Sequence, residues 1–309
     1  MTDVKHPPGF RSRHAGFTLI EMIITMTVTA IIAGMVSSFI IGPVRGYFDS
    51  QRRVVLADTA DLVLRRLTRG VRQGVPNSLR ISDSAGNVGT CSSGTCYIEY
   101  IATSGGGAFS TGSGFFGGST TCAVTPANCQ LTVTSPMPSN PAITSGASGD
   151  YIVLNNTNNN DTTSQYNAYA CASLTNCNYA RVSSIASNTV TLAAGGSGYN
   201  VFGFPGPSTS RFQVIPNGTK AVMFACPIST SGTLRRYWNY GFKGTPAAAV
   251  TAATGGSSST IMATNAKCSV SFPTSSQIFG VLIVTLTLTD SSGIDSVTLM
   301  REIHVDNTP

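Results

Sequence analysis

The chain has 309 residues, of which 41% are apolar and 10% are charged. A chain of this length can bury a sizeable core, and the composition excludes an intrinsically disordered protein, because such chains are charged and poor in apolar residues. The net charge of +6 is concentrated in one segment, since eight arginines lie between Arg45 and Arg80 against three aspartates.

A basic leader and a long apolar run begin the chain. Residues 1–16 contain three Lys or Arg residues and one Asp, and the 25 residues from Phe17 to Ile41 are nearly all apolar or small. Positive charge ahead of an apolar run keeps that end in the cytoplasm. The rest of the chain is therefore expected across a membrane, although Glu21 places a carboxylate inside the run.

Three explanations for this run compete. A secretory signal peptide is a poor match, because its apolar core has only about 7 to 15 residues. A plain membrane anchor fits the length, because 25 helical residues extend about 38 Å and the hydrocarbon core is about 30 Å thick, but a charge at mid-membrane costs about 2.5–3.5 kcal/mol. A cut between Gly16 and Phe17 explains Glu21, because the new amino group of one subunit can pair with the Glu21 carboxylate of a neighbour.

The string Gly16-Phe17-Thr18-Leu19-Ile20-Glu21, followed by an apolar helix, resembles the class III signal of type IV prepilins and type II secretion pseudopilins. The resemblance implies that a prepilin peptidase cleaves between Gly16 and Phe17 and methylates the Phe17 amine, and that Glu21 is the assembly residue. It implies other minor and major pilins or pseudopilins, an inner-membrane assembly platform and membrane lipid as partners. It further implies an inner-membrane subunit with a periplasmic head that later enters a pilus or pseudopilus, at its tip.

Two further segments narrow the resemblance. Residues 58–81 and the string TLRRYWNYG at 233–241 are similar to the O-type minor pilins of mannose-sensitive haemagglutinin pili and, more distantly, to J-type pseudopilins. This implies a larger, non-enzymatic minor subunit that initiates or caps assembly. The alternative is a tip-displayed binding module for a surface, a sugar or DNA, which recognises its ligand through uncharged loops at 103–149 and 244–266. A membrane-anchored enzyme is disfavoured, because the processed chain would keep only His304 and has no nucleophile or phosphate-binding motif.

Apolar residues at positions 57, 60, 64, 67 and 71 have helical spacing. They predict one helix from Phe17 to Gln73, ended by Gly74-Val75-Pro76, and its second half should lie on the head. The predicted organisation is a leader at 1–16, a transmembrane and assembly helix at 17–41, an amphipathic helix at 42–75 and a disulfide-stapled head at 76–309. Asp49–Arg53 and Asp61–Arg65 are expected ion pairs on this helix.

The head is predicted to be β-rich, which gives an α+β fold with the long helix packed on an antiparallel sheet. Residues 103–149 and 244–266 are rich in small and polar residues and are predicted to be loops. Residues 211–242 are predicted to form a meander of three strands. A change in the period of the apolar residues after the helix predicts strands at 96–102, 150–156, 211–215, 221–227 and 233–242, and hairpins at 180–193 and 279–305.

Eight cysteines follow the apolar run. No Cys-x-x-Cys motif or paired histidine completes a zinc site, so disulfides in an oxidising compartment are favoured over buried free thiols. Proximity along the chain suggests the pairs Cys91–Cys96, Cys122–Cys129, Cys171–Cys177 and, by elimination, Cys226–Cys268.

Three other features have competing interpretations. The arginines between Arg45 and Arg80 form a solvated helix face or contact acidic neighbouring subunits, rather than nucleic acid. The segment from Asp290 to Asp295 fits a hairpin turn better than a calcium site, so no cofactor is expected. Tyr237, Trp238, Tyr240 and Phe242 either form an adhesive ledge or alternate along a strand, with half of them in the core and half at its rim.

Overall fold

The computed structural model describes residues 16–89, 91, 93–110, 130–139, 141–164, 166–170, 176–193, 200–201, 211–228, 231–272 and 280–305. The chain divides into two compact units, Met1–Arg52 and Arg53–Pro309. The predictions for the leader, for Cys122, Cys129 and Cys171 and for much of the 103–149 segment therefore lie outside the described residues.

The described elements are two α-helices and fifteen β-strands. They are, in chain order, α1 (Leu19–Arg72), β1 (Arg80–Ser82), β2 (Thr95–Ile101), β3 (Gly105–Ala108), β4 (Gln130–Thr132), β5 (Tyr151–Val153), β6 (Asn176–Cys177), β7 (Tyr179–Ala186), β8 (Thr189–Leu192), β9 (Asn200–Val201), β10 (Arg211–Ile215), β11 (Ala221–Pro227), β12 (Gly232–Trp238), α2 (Pro246–Thr254), β13 (Ser258–Ser271), β14 (Val281–Thr289) and β15 (Ser296–His304).

The second part of α1 packs on a seven-stranded antiparallel sheet of order β1-β2-β11-β12-β13-β14-β15. The helix buries Ala60, Val63, Leu64, Leu67 and Val71 against this sheet, and the arginines between these positions stay exposed. This confirms the predicted α+β fold and the predicted apolar stripe, except that Ala57 is only half-buried and Val63 joins the stripe.

The opposite face of the same sheet is also covered. Helix α2 buries Ala249, Val250 and Ala253 there, together with Met223 of β11. Because both faces are covered, β11 reads as an uninterrupted apolar run, AVMFAC, and not as an alternation. The sheet is therefore the middle layer of the head.

A second sheet is inserted between β2 and β11, which are neighbours in the first sheet. Its order is β3-β10-β5-β7-β8-β4. The bridge between Phe109 and Val133 joins its two edge strands, so the sheet closes on itself around an apolar core that includes Phe109 and Phe212. Closure removes the exposed strand edges. The insertion begins where the Ala102 N–H donates to the Lys220 carbonyl at 2.9 Å.

A buried polar network joins this insertion to the seven-stranded sheet. Arg80 Nε donates to Glu99 Oε2 at 2.6 Å, and the Tyr240 hydroxyl donates to Glu99 Oε1 at 2.8 Å. The Arg80 guanidinium also lies 3.7 Å from the centre of the Tyr169 ring. Burial raises the pKa of Glu99, and the Arg80 charge and the Tyr240 hydroxyl act in the opposite direction. Arg80 is 2% exposed, so assigning it to a solvated helix face was wrong.

The remaining donors of Arg80 hold two loops in place. Its Nη atoms donate to the carbonyls of Lys243 at 2.9 Å, Gly244 at 3.1 Å and Asn159 at 3.4 Å. These carbonyls lie outside the strands of the seven-stranded sheet, so strand pairing does not provide their hydrogen bonds. Arg80 therefore provides backbone groups with hydrogen bonds that secondary structure does not supply.

Several predicted elements are confirmed. Helix α1 runs through Pro43 to Arg72. The hairpin β7–β8 turns at Ser187, which has a φ of +54°, and the hairpin β14–β15 turns between Asp290 and Asp295.

Other predictions were wrong. Residues 244–266 are not a loop, since they contain α2 and most of β13. Thr245 caps α2 by accepting from the Ala248 N–H, with Pro246 at the first helical position. Strands β3 and β4 lie in the segment 103–149. The predicted three-stranded meander over residues 211–242 was also wrong. Its first strand, β10, belongs to the closed sheet, whereas β11 and β12 are neighbours in the seven-stranded sheet.

Candidate processing and assembly site

The Gly16–Phe17 peptide bond lies in exposed backbone directly before helix α1. Residues 16–18 have no regular secondary structure, and the side chain of Phe17 is 78% exposed. Among the described residues other than its chain neighbour, none has an atom within 4 Å of the position that a Cβ would occupy at Gly16. A peptidase can therefore reach this bond without unwinding a helix.

Thr18 and Glu21 form the local start of α1. Thr18 is the residue before the first helical position, and its Oγ1 accepts a hydrogen bond from the Glu21 N–H at 3.3 Å. A Thr followed three residues later by Glu is the sequence pattern of a capping box. Glu21 also lies in the first turn, where the helix dipole favours negative charge. Thr18 is not among the predicted site residues, although the Thr-x-x-Glu pattern from Thr18 to Glu21 is present in the sequence.

The first part of α1 presents apolar side chains that nothing within its own unit covers. Every residue from Gly16 to Phe48 is exposed, and α1 contains a window of 18 residues with a mean hydropathy of 2.1. Among the described residues, α1 alone is long and apolar enough to cross a membrane. A continuous apolar surface of this size marks a membrane or protein contact, which fits the membrane anchor of a type IV pilin.

Four hydroxyl groups in this run donate to carbonyls of the same helix. Thr25, Thr27 and Ser38 donate to the carbonyls three residues earlier at 3.0, 2.9 and 2.7 Å, and Thr29 donates to the Thr25 carbonyl at 2.6 Å. Such bonds remove the cost of placing a hydroxyl in a medium without water. Glu21 is the one charged side chain in the run from Phe17 to Ile41.

Ion pairs appear on the helix beyond the apolar run. Arg65 Nε donates to Asp61 Oδ2 at 2.5 Å, as predicted. The predicted Asp49–Arg53 pair was wrong, since Asp49 pairs with Arg52 and Arg53 Nε donates to Asp295 Oδ1 at 3.0 Å.

Two disulfides lie side by side in the seven-stranded sheet. Cys91 is bonded to Cys96, and Cys226 to Cys268, which are two of the four expected pairs. Cys96 and Cys226 are register partners on β2 and β11. Cys177 is also disulfide-bonded. The Cys226–Cys268 bond closes a long loop, so it restricts the unfolded chain more than the Cys91–Cys96 bond does.

The other candidate groups are used by the fold. Asp290 accepts from the Ile294 N–H at 3.0 Å and from the Ser292 hydroxyl, and the Ser292 bond is the largest of the causes that lower the pKa of Asp290. Among the described residues, no group of three or more His, Cys, Asp or Glu could hold a metal ion.

The four aromatic residues proposed as a ledge do not share one surface. Tyr240 is buried and bonded to Glu99, and Phe242 packs 4.7 Å from Tyr179 between ring centres. Tyr237 packs against the core that contains α2, whereas Trp238 packs against the core that contains α1.

Comparison with known proteins identifies the N-terminal segment. Residues 11–37 match the family model described as the prokaryotic N-terminal methylation motif. No curated protein and no solved structure matches the chain. The match covers Gly16, Phe17 and Glu21, and it supports a class III signal on a subunit of the type IV pilin or pseudopilin kind, a class of structural rather than catalytic proteins.

Proposed function

We propose that this protein is a larger minor pilin or pseudopilin that initiates or caps the assembly of a type IV pilus or a type II secretion pseudopilus. The observation that carries the proposal is the methylation motif at residues 11–37 on an exposed apolar helix. The size of the head supports a minor role, because a head that comprises residues 76–309 and contains a seven-stranded and a six-stranded sheet is bulky to repeat along a filament. The similarity of segments 58–81 and 233–241 to the O-type minor pilins points the same way.

In this proposal a prepilin peptidase cuts between Gly16 and Phe17, which removes the basic leader and creates an amino group at Phe17. Methylation keeps that group basic. The subunit then rests in the inner membrane with its head in the periplasm, where the Cys91–Cys96 and Cys226–Cys268 disulfides form.

Assembly then depends on the charge of Glu21. A desolvated carboxylate persists only when it is paired. The Phe17 amine of a neighbouring subunit, displaced by about one helical turn or about 6 Å, is the partner that the proposal assigns to it. The exposed apolar residues of α1 pack against those of the neighbouring helices.

Intact mass of the membrane-extracted protein tests the processing step. A mass that corresponds to residues 17–309 plus one methyl group, less two hydrogens for each disulfide, would support it. A mass that includes Met1 or the leader in a host with an active prepilin peptidase would refute it.

Replacement of Glu21 by Gln tests the assembly step separately. Gln completes a capping box as Glu does, so Glu21→Gln keeps the start of the helix and removes only the charge. We expect the variant to be processed normally and to be absent from sheared filaments or pseudopili. The control Thr18→Ala removes the cap and keeps the carboxylate, and it should assemble. Normal assembly of Glu21→Gln, or equal loss in both variants, would overturn the charge-pairing role.

A further inference from the structure

A basic cleft lies between the end of α1 and the seven-stranded sheet. It has a volume of about 310 Å³ and is lined by Arg66 and Arg69 of α1, Arg236 of β12 and Tyr100 of β2, with Thr103, Thr219 and neighbouring residues around them. An adjoining depression shares Arg69 and adds Arg72. The concave shape gives a bound group contacts from a helix and two strands at once.

The cationic groups of this cleft have no acidic partners. Among the described residues, no Asp or Glu pairs with Arg66, Arg69 or Arg236. The nearest helix carboxylate, Asp61, is already shared between Arg65 and Arg301. A cation near the end of a helix stabilises the helix dipole, and this accounts for Arg69. It does not account for Arg236, which comes from a strand, and the Arg236 guanidinium is oriented by the Trp238 ring, 4.9 Å from its centre.

Tyr100 forms the floor of the cleft. Its side chain is 3% exposed, and its ring stacks on Phe224 at 6.4 Å between ring centres. Gly70 makes room for the hydroxyl, because a Cβ at that position would overlap the Tyr100 oxygen. Within the described part of the chain no group accepts the Tyr100 proton. Because Tyr100 lines the cleft, its proton can be donated to a group that is bound there.

Burial raises the pKa of Tyr100, against the lowering effect of Arg236 and Arg66. The hydroxyl is therefore a hydrogen-bond donor at neutral pH. Together with the three guanidinium groups it provides donors on several sides of one small volume.

We propose that this cleft binds a phosphate group. A phosphate carries up to two negative charges and three terminal oxygens, which matches three unpaired arginines and one hydroxyl donor better than a single carboxylate does. The group can be free phosphate or the headgroup of an anionic lipid. The inference does not depend on the proposed function, because it uses neither the leader nor the apolar run.

Titration of the full chain in a non-ionic detergent with inorganic phosphate, at constant ionic strength, tests the proposal. Calorimetry measures the affinity and stoichiometry, and the fluorescence of Trp238, the single tryptophan in the chain, reports from beside Arg236. We expect saturable binding at one site. Arg69→Gln and Arg236→Gln should each weaken binding at least about tenfold, and Tyr100→Phe should weaken it several-fold.

The control is Arg211→Gln, which removes an exposed arginine at the start of β10 in the other sheet. It should leave phosphate affinity unchanged, and the circular dichroism of every variant should match the parent protein. Absence of saturable binding, or equal weakening by Arg211→Gln, would overturn the proposal.

A second arm distinguishes the source of the phosphate group. The titration is repeated in micelles doped with phosphatidic acid, whose headgroup is a phosphate monoester, or with phosphatidylcholine. Competition with inorganic phosphate by phosphatidic acid alone, lost in Arg236→Gln, identifies a lipid headgroup. Unchanged phosphate affinity in both micelles identifies the free anion.

Discussion

Replacement of Glu99 by Gln should destabilise the head by about 3–5 kcal/mol, the range measured when one partner of a buried ion pair is removed. Glu99 and Arg80 are each 2% exposed, so water cannot replace the lost charge. Glu99 also accepts from two donors, Arg80 at 2.6 Å and Tyr240 at 2.8 Å. A Gln amide has one acceptor oxygen, so its NH₂ group would face one of these donors.

Urea unfolding of the full chain in a non-ionic detergent, followed by Trp238 fluorescence, measures the change. The control is Asp61→Asn, because the ion pairs of Asp61 with Arg65 and Arg301 are at least about one-third exposed on both sides and each should contribute at most about 1 kcal/mol. A Glu99→Gln protein within 1 kcal/mol of the parent would refute the reasoning that this pair is desolvated.

Replacement of Arg80 by Lys separates the charge from the hydrogen bonds. Lys keeps a cation beside Glu99, but its single ammonium cannot also reach the carbonyls of Lys243, Gly244 and Asn159. Each unsatisfied buried carbonyl costs about 1–3 kcal/mol. Arg80→Lys should therefore destabilise the head clearly, and hydrogen exchange should increase first in the 243–244 segment. Unchanged exchange there would show that the carbonyl bonds are not needed.

Three further outcomes are expected. Leu67→Ala should cost about 2–5 kcal/mol in the same unfolding assay, whereas Leu62→Ala, at a position that is 67% exposed, should change little; similar values for both would contradict the observed helix face. Gly70→Ala should destabilise the head by about 1–3 kcal/mol despite the higher helix propensity of Ala, and Tyr100→Phe in the same chain should restore part of the loss, since it removes the overlapping oxygen. Stability should fall as the pH rises above about 10, where tyrosines ionise in the unfolded chain, because burial raises the pKa of several tyrosines in the fold, and most strongly that of Tyr169, Tyr179 and Tyr240. An absorbance titration at 295 nm in which these three ionise below the unfolding transition would contradict this.

The elements predicted correctly are those with a strong local period. The α1 stripe and the alternating strands β14 and β15 bury one face each, so the chain itself shows which residues face the core. The closed sheet could not be predicted in this way. Strands β3 and β4 have three or four residues each, which is too short for a period, and their pairing depends on contacts far along the chain.

The segment 244–266 was misassigned for a different reason. Its small residues were interpreted as a loop, but alanines favour a helix once Thr245 and Pro246 begin it. A covered sheet face selects small side chains, and Ala249 and Ala253 are buried there. Composition alone therefore cannot separate a loop from a tightly packed helix.

Arg80 shows why the spacing of charged residues along the chain does not predict which of them are buried. It continues the arginine series of α1 in sequence, but the series leaves the helix after Arg72, and Arg80 enters a strand opposite Glu99. Its burial depends on loops that are about 80 and 160 residues further along the chain. No local pattern contains that information.

Glu21 is the position where local and assembly explanations must be separated. The capping bond from its N–H to Thr18 gives a structural reason for a polar residue at the start of α1. That bond uses the backbone of Glu21 and not its charge, and a capping box accepts Gln equally well. The helix dipole favours the negative charge by only about 0.3–1 kcal/mol at an exposed site. The local interactions therefore account for the polarity at Glu21, and the proposed pairing with the Phe17 amine of a neighbouring subunit would account for its charge.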